Sequence, residues 1–207
     1  YAEQIINFTF PHIGNVGANI EDDESDKVWT KGIILNSEIT NPSNYRSLRN
    51  LDLWLKKNEV VGITGLDTRS ITNFIRDKSA PKGTIAFSRN GDFNIKKLTS
   101  TTIKWSGLKN LDLAKKVSTT KNYVWSGHKT WKKNNGYLRN KKKLFHVVAI
   151  DYGIKKNILR YFSDFNCKVT VVSCTTRSQE ILRLKPDGIF LSNGPGDPAA
   201  TGKYAIN

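Results

Sequence analysis

The sequence predicts an α/β chain: a mixed α/β N-terminal domain followed by the first half of a doubly wound parallel sheet. Three observations predict it. From His146 to Leu191 the order strand, helix, strand, helix, strand runs with short turns between, which implies parallel strands joined by right-handed crossovers. Residues 1 to about 88 alternate short β-rich runs with turns and contain helical spacing. Hydrophobic residues at 38% and aromatics at 10% of 207 residues are sufficient for real cores, which excludes a disordered chain.

In the first region, Ile5-Ile6-Asn7-Phe8-Thr9-Phe10 reads as a strand stopped by Pro11, since proline has no N–H to give a ladder. Gly32-Ile33-Ile34-Leu35 and Val60-Val61-Gly62-Ile63 are two further strands. Between them Leu48, Leu51 and Leu55 stand at helical spacing and predict a helix over 48–57. Asp67-Thr68 is an N-cap signal ahead of Ile71, Phe74 and Ile75, the apolar side of a second helix.

Residues 89–143 read as a polar connecting region, rich in Lys and Asn and weak in periodicity. Trp105, Trp125 and Trp131 within it imply burial against neighbouring domains. A stacking surface for single-stranded nucleic acid is the alternative reading of aromatics among lysines, and no recognition-module pattern accompanies it. Asn134 to Lys143 reads as an exposed linker.

The third region, 144–207, opens on the buried-strand pattern His146-Val147-Val148-Ala149-Ile150, ending at Asp151. Gly153 allows a tight turn, and Ile154 to Phe162 carries apolar residues at helical spacing. Lys168 to Val172 is a second strand, Ser178 to Lys185 a short helix with Ser178 as its N-cap, and Gly188 to Leu191 a third strand. In such sheets ligands sit outside the carboxyl ends of the strands, where Asp151 and Gly194 fall.

Charge and cysteine content narrow the function classes. Lys plus Arg number 33 against 18 acidic residues, a net charge of +15. The basic residues are scattered in pairs and one triplet, which reads as solvated faces and not as a nucleic-acid-binding tail. No apolar run approaches the roughly 18–20 residues of a membrane span, and no secretory signal opens the chain. Cys167 and Cys174 show neither metal nor disulfide spacing, so a reducing, cytoplasmic setting is expected.

The last strand runs into Ser192-Asn193-Gly194-Pro195-Gly196-Asp197-Pro198. Two glycines reach backbone angles that other residues avoid, and the proline between them stiffens the loop. A ligand can approach such peptide groups closely, and backbone N–H groups held this way can meet a developing oxyanion. This string resembles the oxyanion-strand motif of class I glutamine amidotransferases. Pro11 to Asn19 and Gly65 to Thr72 resemble two signatures of the small subunits of carbamoyl-phosphate synthase, and Asp151 to Arg160 resembles the start of their amidotransferase domain. Other amidotransferases share the glycine loop but not Pro11–Asn19 or Asp67–Thr72. Leu66 stands where isoleucine is more usual, a volume-conserving change.

The resemblance implies a subunit that hydrolyses L-glutamine and passes ammonia to a large ATP-using partner subunit. That partner makes carbamoyl phosphate for arginine and pyrimidine biosynthesis and holds ATP with Mg or Mn, leaving no cofactor in this subunit. Gly194 and Gly196 are implied to contact glutamine, with the neighbouring loop as part of the oxyanion hole. The first domain is implied to build the contact with the large subunit, so His12 and Arg69 are assigned to packing or ion pairing. The family's nucleophilic cysteine sits on a strained turn after the next strand, and its His and Glu come later. Cys167, Cys174 and His146 do not follow that pattern, so no catalytic and no metal-binding residue is expected here. A glutamine-contacting serine of the family would precede Tyr1. With no methionine in the sequence, the chain is expected to be a fragment cut at both ends and inactive alone. The alternative is a non-catalytic interaction or regulatory protein that retains the interface domain, and it predicts a stop codon after Asn207.

Overall fold

Three short parallel strands order the N-terminal part of the chain. In the computed structural model, which describes residues 1–128, 131–138 and 143–206, these are β1 (Ile5–Asn7), β2 (Gly32–Ile34) and β3 (Val61–Ile63), in the order β1-β2-β3. Ile33 faces Ile6 on one side and Gly62 on the other. Helix α1 (Leu51–Lys57) precedes β3, and α2 (Thr68–Lys78) and α3 (Ile95–Lys104) follow it. Ile33, Leu35, Leu55 and Val60 form the core, with Ile6, Phe8, Ile13, Leu51 and Trp54 packed around them.

Local chemistry sets the element ends. Helix α1 begins at Leu51, later than the leucine spacing predicts, because the Asn50 side chain accepts the Leu53 N–H at 2.9 Å and caps it there. Leu48 is left exposed. Asp67 caps α2 as expected, accepting the Ser70 N–H at 2.9 Å and its hydroxyl at 2.7 Å. These bonds hold the Asp67 carboxyl below its ordinary value of 3.8. The first strand is shorter than its apolar run. Phe8 still donates to the Ile34 carbonyl at 3.0 Å, but Phe10 lies exposed and stacks edge-on against His12.

The remaining elements are α4 (Ala114–Val117), β4 (Tyr123–Trp125), β5 (Trp131–Lys132), β6 (Gly136–Tyr137), β7 (Phe145–Asp151), α5 (Lys156–Asp164), β8 (Cys167–Ser173), α6 (Ser178–Arg183), β9 (Gly188–Leu191) and α7 (Pro198–Ala205). Their sheet has the order β4-β8-β7-β9. Strands β7, β8 and β9 are parallel, as the sequence order predicts. The alternation of side chains divides the core into two faces. Val148, Ile150 and Val172 pack with Ala114, Tyr152, Cys174 and Ile181 on one face. Val147, Ala149, Val169 and Val171 pack with Leu159 and Cys167 on the other. Helices on both faces make this half of a doubly wound domain.

Several details depart from the sequence reading. Strand β4 joins the sheet antiparallel to β8, with Val124 opposite Thr170. It lies in the stretch read as a polar connection, where α3, α4 and the β5–β6 pair also form. Trp125 packs on the Leu159 face and donates its indole N–H to the Gly127 carbonyl at 2.9 Å. Of the run read as a linker, Gly136 and Tyr137 form β6, while 139–142 lie outside the described residues. Ser178 is the first residue of α6 and not its cap; Arg177 holds the cap position without a side-chain bond.

The chain divides into two units: Tyr1–Asp22 with Val28–Gly107, and Asp23–Lys27 with Leu108–Asn207. The short acidic piece belongs to the second unit through α5. Glu24 accepts the Asn157 N–H at 2.8 Å and pairs with Arg160 at 3.2 Å, and Asp26 pairs with Lys156 at 2.6 Å. A carboxylate at this helix start satisfies amides that have no partner within the helix. Arg160 is buried, and its guanidinium also lies over the Tyr137 ring. Among the described residues no helix is long and apolar enough to cross a membrane.

Candidate functional site

Strands β7 and β9 end side by side, with Ile150 opposite Leu191, so the turns that leave them share one edge of the sheet. At the end of β7 the buried Asp151 carboxylate accepts the N–H groups of Gly153 and Ile154 through Oδ1, each at 2.8 Å. Its Oδ2 accepts the Thr119 N–H at 2.7 Å. At the end of β9 the Ser192 N–H reaches the Ile150 carbonyl at 3.2 Å. The buried Ser192 hydroxyl accepts the Tyr152 N–H at 2.9 Å and donates to the Asn193 carbonyl at 3.2 Å. Each turn is thus tied to its neighbour before the glycine loop begins.

The loop brings Gly194 and Gly196 into close contact with the chain's own backbone. A Cβ on Gly194 would lie 3.0 Å from the Tyr152 Cβ and collide with the Tyr152 carbonyl oxygen. Gly196 has φ +91°, and a Cβ there would meet the Leu111 carbonyl oxygen and stand 3.0 Å from the Leu113 nitrogen. These close approaches by themselves require glycine at both positions. The amides of Asn193, Gly194 and Gly196 donate no hydrogen bond among the described residues. Asn193 and Gly194 are exposed and Gly196 half-buried. Such a row of N–H groups is chemically suited to a carbonyl oxygen or an anion.

Asp197 closes the loop. Its Oδ1 accepts the Ala199 N–H at 2.9 Å and caps α7, which begins on Pro198. Its Oδ2 accepts the Asn110 N–H at 2.8 Å, and its own N–H donates to the Leu111 carbonyl at 3.0 Å. The Asn110 and Ala199 N–H groups hold the Asp197 carboxyl below 3.8. A second tie lies nearby, where the Tyr204 hydroxyl donates to Asp112 at 3.0 Å. The sequence reading missed Asp197, although Asp-Pro after a glycine turn is a helix-start signal. The Asn110 tie has no such signal, because only the backbone N–H takes part.

The two cysteines lie in the second unit. Both are buried, and burial pushes the Cys167 thiol above 9.0, away from the reactive thiolate. Cys174 lies just past β8 with its N–H bonded to the Ser118 hydroxyl at 3.0 Å. His146 sits at the opposite end of β7 from the glycine loop, its ring bonded to the Thr170 hydroxyl at 2.8 Å. His12 and Arg69 are exposed residues of the first unit. Among the described residues no group of three or more His, Cys, Asp or Glu could hold a metal ion.

Comparison with known proteins matches these two parts of the chain to two families. Residues 1–85 match the family described as carbamoyl-phosphate synthase small chain, CPSase domain. Residues 148–207 match glutamine amidotransferase class-I. The carbamoyl phosphate synthase small chain of Bradyrhizobium diazoefficiens is 50% identical over 210 residues, covering 100% of this chain and 53% of its own length. That of Rhizobium meliloti is 50% identical over 212 residues, covering 100% and 53%. That of Zymomonas mobilis is 49% identical over 207 residues, covering 100% and 55%. The chain spans about half the length of the curated relatives it matches. The two families follow one another in the order of the two folds, and half the residues agree along the whole chain. The chain belongs to the carbamoyl-phosphate synthase small-chain family and carries part of a glutamine amidotransferase domain.

Proposed function

We propose that this chain is part of a subunit that hydrolyses L-glutamine and delivers ammonia to a large ATP-dependent subunit that makes carbamoyl phosphate. Carbamoyl phosphate formed there feeds arginine and pyrimidine synthesis, and ATP with Mg or Mn belongs to the large subunit. The observation that carries the reading is the glycine loop. It stands at the strand ends where doubly wound sheets bind ligands, with the amides of Asn193, Gly194 and Gly196 directed to no partner among the described residues.

In this reading the peptide groups of Gly194 and Gly196 contact glutamine. The loop amides stabilise the negative oxygen that forms when a thiolate adds to the side-chain amide carbon. Stabilisation of this kind contributes only where charge develops, so it acts on the transition state more than on bound substrate. The thiolate is assigned to neither Cys167 nor Cys174, because both are buried. The 207 residues alone therefore release no glutamate, and the function belongs to the longer subunit.

The test is glutamate release from glutamine by the full-length subunit with its large partner, beside the 207-residue chain. Release by the first and none by the second is expected. Release by the short chain would overturn the assignment of the nucleophile. Release by the long one that is unchanged in Gly194→Ala would overturn the assignment of the loop.

A further inference from the structure

We propose that Asp197 is the positioning residue of the glycine loop, fastening it at once to the Asn110–Leu113 segment and to the start of α7. The inference rests on the reading of this loop as glutamine-facing and names the group that fixes its orientation. Three bonds converge on one residue. Oδ2 accepts from Asn110 at 2.8 Å, Oδ1 accepts from Ala199 at 2.9 Å, and the Asp197 N–H donates to Leu111 at 3.0 Å. The same Leu111 carbonyl and the Leu113 nitrogen close off the Cβ side of Gly196. The glycine and the aspartate are therefore two halves of one contact: absence of a side chain at 196 lets the segment approach, and the carboxylate at 197 holds it.

The chemistry requires a carboxylate. Both of its oxygens accept, and both donors are backbone N–H groups that no substitution at positions 110 or 199 other than proline can remove. An asparagine at 197 keeps the shape but offers one acceptor oxygen and one NH2. One of the two N–H groups then faces a donor, and the bond that remains is no longer charge-assisted. Leu111 and Leu113 flank Asp112, which accepts from the Tyr204 hydroxyl, so the segment keeps a second tie when Asp197 lets go. The loop is the part that moves. Asp197 touches no reacting atom in this arrangement; it acts through the amides of Asn193, Gly194 and Gly196.

The experiment uses the full-length subunit with its large partner and compares Asp197→Asn with the parent. Amide hydrogen exchange is read at Asn110 and Ala199 and across β7 and β8, and steady-state glutamate release is measured over a range of glutamine concentration. The proposal expects at least tenfold faster exchange at Asn110 and Ala199 with β7 and β8 unchanged. It also expects kcat to fall at least tenfold while KM changes less than threefold, because a loosened loop loses the developing charge more than the substrate. General unfolding would instead speed exchange throughout the sheet, and that outcome would overturn the proposal. Parental exchange at both amides, or a kcat within twofold of the parent, would overturn it too. Gly194→Ala assayed alongside separates the premises. A parental rate there removes the glutamine reading of the loop, whereas a lost rate there with an active Asp197→Asn removes only the part given to Asp197.

Discussion

Asn50 and Asp67 show how single side chains at the ends of helices decide where the chain turns. Each supplies an oxygen to an amide that the helix cannot satisfy itself. Asn50→Ala is expected to cost about 1 kcal/mol, typical of a lost N-cap, read as a lower urea midpoint with an unchanged slope. Asp67 and Asp197 add a pH dependence of known sign. Their carboxyls ionise below the ordinary 3.8 in the folded chain, so the folded state favours the charged form. The stability they contribute is complete above the ordinary carboxylate range and disappears as pH falls through their lowered values. The thermal midpoint should hold level from neutral pH to about 5 and drop below about 4, with a shallower drop in Asp67→Asn. An equal drop in the variant would show that Asp67 has no part in it.

At the scale of elements, α5 links both halves of the second unit's architecture. Leu159 is fully buried against β7 and β8, and Arg160 is buried beside Glu24 and Tyr137. Leu159→Ala is expected to destabilise by about 2–5 kcal/mol, the range for a large core side chain cut to a methyl, measured by denaturant unfolding. Glu24→Gln is expected to cost about 1–2 kcal/mol. This is less than the roughly 3–5 kcal/mol of a fully buried pair, because Glu24 is itself 42% exposed. Helix α5 was legible in the sequence from its helical period, and β7 and β8 from apolar runs buried on both faces; β9 was legible from its apolar run alone, since Ile189 and Leu191 lie exposed in the structure. Strand β4 was not. Its three residues Tyr123-Val124-Trp125 acquire a strand's identity only from β8, far along the chain, and no local period records that. The glycine loop was legible as a motif. Its fastening was not, since the bonds to Asn110 and Leu111 use backbone atoms common to every residue.

For the whole molecule, the net charge of +15 sets a response to salt. The Lys56–Asp52 and Arg76–Asp77 pairs are exposed and contribute little, while like charges across the surface repel. Raising ionic strength from about 0.01 M to 0.15 M shortens the screening length from about 30 Å to about 8 Å. The thermal midpoint should therefore rise by a few degrees; a fall would mean that attractive pairs dominate. Weak DNA binding at low salt should vanish at physiological ionic strength, as expected for scattered charge without a recognition surface.

The acidic piece Asp23–Lys27 gives the order of events on the ribosome. Glu24 caps an amide 133 residues further along the chain. At synthesis rates of roughly 5–20 residues per second, about 7–27 s separate the two. For that interval the nascent chain carries a five-residue acidic tether with no docking surface yet made. Stalled chains ending before Asn157 should be cut there by a Glu-specific protease, and chains that have released α5 from the exit tunnel should resist it.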